Sequence, residues 1–113
     1  MSTDADFVEF VVDQIAGAGL VDARKMFGGY TIYCNTKVVA LVCDNQLFVK
    51  PTAQGRNFIG NVREAPAYTG AKPSFLIEEL DDSAWLTQLI KITTDALPFP
   101  KPKLKKVKQG KTS

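Results

Sequence analysis

Three groups of residues in this chain have types and spacings that could do chemistry. Arg24 and Lys25 stand just before Gly28-Gly29, and Lys72 lies in the run Gly70-Ala71-Lys72-Pro73. Cations beside backbone amides freed by glycine could hold a small anion or a nucleic-acid phosphate. A phosphate loop, however, needs its glycines around a strand-to-helix turn, whereas this pair joins two segments of β character, so a tight turn or bulge is the competing reading. Arg24 and Lys25 would then be charges that keep an edge strand from pairing with its neighbours. The second group is Cys34 and Cys43. The chain has no histidine, so neither thiol has an imidazole to activate it and two sulfurs are too few for a zinc site; both read as reduced, buried side chains. The third is Glu78, Glu79, Asp81 and Asp82, which could attract a cation but precede a helical segment, where carboxylates cap the first turn and oppose its dipole. Acid–base catalysis near neutral pH would need a strongly shifted carboxylate, lysine or cysteine, and no spacing marks one. The expectation is a protein without catalytic residues, cofactor or metal.

The charge is distributed unevenly. Of 14 basic residues, 6 lie beyond residue 100, leaving 8 against all 12 acidic ones, so residues 1–100 carry −4 and the tail +6. The tail residues Lys101, Lys103, Lys105, Lys106, Lys108 and Lys111 are interleaved with proline and have almost no apolar neighbours, a composition that cannot pack a core and is expected to be disordered. Such a tail gains weak, salt-sensitive affinity for nucleic acid through counterion release, or acts only as a solubilising terminus. It has no aromatic side chain to stack on a base. No apolar run reaches the roughly 18 residues that span a bilayer, and Met1-Ser2-Thr3-Asp4 has neither the positive flank nor the apolar stretch of a signal peptide. A cytoplasmic protein that does not enter a membrane is expected.

These residues must be positioned by elements that local patterns delimit. Residues 3–17 read as an amphipathic helix, with Thr3 at the cap, Asp4 and Asp6 near the positive end, and Val8, Val11, Val12 and Ile15 at helical spacing. Asp82–Leu97 reads as a second helix that buries Leu86, Leu89, Ile90, Thr93 and Leu97, with Trp85 at its edge, and ends at Pro98. Between them, strands are expected at 24–27, 30–34, 38–43, 46–50 and 74–78, with a short helix over 52–60. The fold class is α+β: an antiparallel meander of about five strands packed against N- and C-terminal helices, over residues 1–100.

The turns set the facing of the strands. A three-residue loop at Asn35-Thr36-Lys37 would place Cys34 opposite Val38, and a two-residue turn at Asp44-Asn45 would place Cys43 opposite Gln46. One face then carries Tyr30, Ile32, Cys34, Val38, Ala40, Val42, Leu47 and Val49 and packs under the helices. The other carries Thr31, Tyr33, Val39, Leu41, Cys43, Gln46, Phe48 and Lys50. Of these, Thr31, Tyr33, Val39, Leu41 and Phe48 form a greasy patch suited to a protein partner or a second copy of the chain, unless the short helix or residues 61–73 cover it. In this register the two cysteines are too far apart for a disulfide.

The run Arg24-Lys25-Met26-Phe27-Gly28-Gly29-Tyr30 followed by Ile32, the segment Val38–Lys50, and Gly70-Ala71-Lys72-Pro73 with Phe75-Leu76-Ile77 resemble, in that order, the N-terminal domain of the TfoX/Sxy competence regulators. The resemblance covers most of residues 1–100. It implies a small α+β module similar to the secretion-chaperone fold, here as a stand-alone domain. In that family the full-length regulators add a second, helical domain and act with the cyclic-AMP receptor protein on competence genes. The function expected is a non-enzymatic interaction module acting through protein partners in transcriptional regulation. The alternative is a small anionic-ligand or enzyme-like role at the Gly28-Gly29 end of the sheet.

Overall fold

The computed structural model describes residues 3–26 and 28–98; the Lys-rich tail and Phe27 lie outside the described residues. The order is α1 (Ala5–Ile15), a 3-10 turn (Ala16–Ala18), β1 (Val21–Met26), β2 (Gly29–Cys34), β3 (Lys37–Cys43), β4 (Gln46–Val49), α2 (Ala53–Ile59), β5 (Arg63–Pro66), β6 (Pro73–Ile77) and α3 (Ser83–Ala96). This is the expected α+β class. The sheet has six antiparallel strands in the order β1-β2-β3-β4-β6-β5, so the meander runs through β4, then crosses by α2 to an outer strand and returns through β6 into the gap. β5 is the strand absent from the sequence reading: Arg63-Glu64-Ala65-Pro66 has neither alternation nor β-branched residues. It is held by its antiparallel partner β6.

All three helices pack on one side. Val8, Val11 and Ile15 of α1 and Leu86, Leu89 and Ile90 of α3 form one buried cluster with Ile32, Cys34, Ala40, Val42, Leu47, Val49, Phe75 and Ile77 of the sheet. α2 lies on the same side, with Gly55 against Phe75 and Leu89. Its N-cap is Thr52, whose hydroxyl accepts from Gly55 N (2.9 Å), and α3 is capped by Asp82, whose carboxylate accepts from Trp85 N (3.1 Å). The C-terminal turn of α1 is tied to α3, because Gln14 O accepts from both Ser83 Oγ (2.7 Å) and Thr87 Oγ1 (2.9 Å). Thr3 does not cap α1. Its hydroxyl instead donates to Gly28 O (3.1 Å) and accepts from Asp44 N (2.9 Å), which latches the N-terminus across two hairpin turns.

The β2–β3 hairpin differs from expectation by one residue, with consequences for every side chain near it. Asn35 and Thr36 both have positive φ (52° and 70°), so the loop has two residues and Cys34 faces Lys37 rather than Val38. The register recovers through a bulge: Tyr33 pairs with Val38 and Ile32 with Ala40, which leaves Val39 without a partner in β2. Val38 therefore shares the face of Tyr33, while Val39 enters the helix-side core and is wholly buried. Lys37 is turned toward the helices as well. It is buried, and its Nζ donates to Thr94 O (2.8 Å), placing a cation in the last turn of α3, where the helix dipole favours it.

A β-branched residue at φ 70° is strained, whereas Asn-Gly is the preferred pair for a two-residue hairpin loop. Thr36→Gly is expected to stabilise the domain by about 1 kcal/mol, or roughly 4–8 °C in Tm. Thermal unfolding reads this directly, and an unchanged or lower Tm would mean that the turn is relaxed with threonine in place.

Candidate functional site

The strand registers align a single row of side chains across the whole sheet on the side away from the helices. From β1 to β5 it reads Arg24, Thr31, Leu41, Phe48, Leu76 and Arg63, each residue paired with the next. An apolar centre is thus flanked by a guanidinium at each end. Arg24 lies beside Asp22 (3.3 Å) and 5.7 Å from the Tyr33 ring, and Arg63 donates to Glu78 (3.0 Å). Next to this row, Tyr33 and Val38 form a half-buried pair on the same face, and Met26 Sδ accepts from Thr31 Oγ1.

Of the five residues expected to form an interface, the sheet brings Thr31, Tyr33, Leu41 and Phe48 to this face. Val39 is not among them, because the bulge sends it into the core and brings Val38 out in its place. Leu76, which the sequence reading assigned to a strand but to neither face, belongs to the row. Phe48 sits at its middle with Leu41 on one side and Leu76 on the other and is only 4% exposed, so it supports the surface that Leu41, Thr31 and Leu76 present. Neither α2 nor β5 covers the face: α2 packs on the helix side, and β5 widens the sheet at its edge.

The residues proposed for an anion site do not converge. Arg24 is on the open face, and Lys25 faces the other way, opposite Tyr30. Lys72 precedes β6 at the end of the sheet remote from Gly28-Gly29, several strands away. The two glycines serve the backbone: Gly28 has φ 71° in the turn, and a Cβ on the buried Gly29 would collide with the Val42 carbonyl and come within 3.0 Å of Cys43 Sγ. Lys101, Lys103, Lys105, Lys106 and Lys108 lie outside the described residues. Cys34 sits in the helix-side core and Cys43 near the turn end of the open face, both as free thiols. Burial pushes the Cys43 thiol above its usual range, and Asp44 adds to the shift, both of which favour the protonated form. Asp82 is engaged as a helix cap and Glu78 with Arg63. Among the described residues, no helix is long and apolar enough to cross a membrane.

A family model for the TfoX N-terminal domain matches residues 13–97. The chain belongs to the TfoX N-terminal domain family. This family is linked in general to competence regulation. The match includes all six strands, α2 and α3, so it covers the whole of the open sheet face. A relative from Spirochaeta aurantia, described as an uncharacterized 12.7 kDa protein in the trpE 5′ region, is 40% identical over 109 residues, spanning 96% of this chain and 95% of its own length.

Proposed function

We propose that this TfoX N-terminal domain is a non-enzymatic interaction module of transcriptional regulation, which binds a protein partner across the open face of its sheet. The observation that carries this reading is the Arg24–Thr31–Leu41–Phe48–Leu76–Arg63 row, an apolar centre on the side of the sheet that no described helix occupies. Such a surface suits a protein that lays apolar side chains across the strands. It suits nucleic acid poorly, because residues 1–100 carry −4 and the row holds only two cations, each beside a carboxylate. Among the described residues, Lys72 lies at the far end of the sheet from Arg24 and Lys25, which favours the interaction module over an anionic-ligand or enzyme-like role at the Gly28-Gly29 end. The Lys-rich tail supplies, at most, weak and salt-sensitive nucleic-acid affinity in this reading.

The test is a pair of substitutions that leave the helix-side core alone. Leu41→Asp and Leu76→Asp are expected to keep the cooperative fold and to weaken partner binding by about 2 kcal/mol each, roughly thirtyfold in Kd. Binding that survives both changes in a folded protein would place the partner elsewhere.

A further inference from the structure

The edge strand β1 has one sequence property that the partner-binding reading does not use: opposite charges, Asp22 and Arg24, flank Ala23 and become complementary when the strand meets its own copy. We propose that β1 pairs antiparallel with β1 of a second copy, about a two-fold axis at Ala23, joining the two sheets into one.

The backbone is oriented for this. Leu20 O accepts from Asn35 N (2.9 Å), so Leu20 is turned toward β2. Backbone groups alternate in antiparallel strands, so Val21, Ala23 and Lys25 turn their N–H and C=O groups outward. Consistent with that, Ala23 N–H is held by the carboxylate of its neighbour Asp22 (2.9 Å). β1 has a partner on one side only, as it is the end strand of the sheet.

Side chains then select the register. A two-fold axis perpendicular to the sheet keeps each face continuous, so only registers that pair residues of like facing are allowed. Centring on Arg24 would set Arg24 against its own copy, which like charges disfavour. Centring on Ala23 sets Asp22 against the second copy's Arg24, twice, and sets Leu20 against its Met26. Leu20 is 74% exposed in the single chain, the largest exposure of any large apolar residue among those described, and this register covers it. On the helix side, Lys25 comes opposite the second copy's Val21, in a groove of about 240 Å³ between α1 and β1 whose rim carries Glu9 and Asp13. On the open side the edge borders a pocket of about 400 Å³ lined by Leu20, Asp22, Arg24, Tyr33 and Thr36. Alternate side chains of an added strand thus find a cleft on each face, an acidic one for Lys25 and a mixed one for the Asp22–Arg24 pair. The edge pairing shares Arg24 with the partner-binding row but leaves its centre, Thr31, Leu41 and Leu76, uncovered.

Sedimentation equilibrium of the full chain tests it. The expected species has twice the 12.4 kDa chain mass and dissociates as salt rises, since its ion pairs are exposed. Arg24→Asp should give a folded monomer, and the charge-swapped Asp22→Arg/Arg24→Asp chain should recover the dimer. Ala23→Pro removes an outward N–H without touching the bonds to β2 and should also give a monomer. A 12.4 kDa species at every concentration into the millimolar range would overturn the proposal. So would a dimer that Arg24→Asp and Ala23→Pro both leave intact. A dimer lost instead through Leu41→Asp and Leu76→Asp would reject the edge pairing and assign self-association to the open face.

Discussion

Phe75→Ala is expected to lower the stability of the domain by about 3–5 kcal/mol, a large fraction of the roughly 5–15 kcal/mol typical of a single domain. Phe75 is wholly buried and belongs to the helix-side core. It pairs with Val49 across the β4–β6 ladder, lies against Gly55 of α2, and has the Arg56 guanidinium 5.2 Å from its ring. α2 is only seven residues long, too short to hold its helical state without packing. Loss of the ring should therefore release α2 first, seen as faster amide exchange over Ala53–Ile59, together with a lower denaturation midpoint. A loss below about 1 kcal/mol would show that the site collapses around the missing ring.

The second large effect separates two adjacent valines. Val39→Asp places a carboxylate in the core between the sheet and the helices, with a cost of about 3–5 kcal/mol or more. Val38→Asp, one residue earlier, adds a charge to the half-buried open face and should cost only about 1 kcal/mol. Chemical denaturation of the two variants measures the difference. Without the bulge between Ile32 and Tyr33 the ranking would reverse, because a one-residue slip exchanges the faces of a strand. Val38→Asp should in addition weaken partner binding, being a neighbour of Tyr33 and Leu41, while leaving the fold intact.

This pair also marks the boundary of what the sequence makes legible. The helices are readable because Val8, Val11 and Ile15, and Leu86, Leu89 and Ile90, repeat at helical spacing, and because Asp82 and Pro98 delimit α3. The strands β2, β3 and β4 are readable from their alternation and from the Asp44-Asn45 turn, whose register Cys43–Gln46 matches expectation. The Asn35-Thr36 turn is not, since threonine at positive φ gives no turn signal and the bulge that follows depends on how Lys37 and Val39 pack against α3 and the core. β5 is invisible for a different reason: it exists through its pairing with β6, and Arg63-Glu64-Ala65-Pro66 has no strand preference of its own. Most of the open face survives these shifts. Thirty-one, 41 and 48 lie beyond the bulge, where the register is back in phase with the simple alternation, so Thr31, Leu41 and Phe48 fall where the pattern puts them. Leu76 and Arg63 complete the row only once the order β4-β6-β5 is known.

Site-specific photocrosslinking in living cells tests the partner-binding face most directly. A photoreactive phenylalanine analogue would replace Leu41 or Leu76 on the open face, and Gln88 on the exposed side of α3 as a control. The sheet face as docking surface predicts a discrete adduct with a protein other than the chain itself from positions 41 and 76, and none from 88. Adducts from position 88 alone, or crosslinks from 41 and 76 to nucleic acid and not to protein, would contradict it.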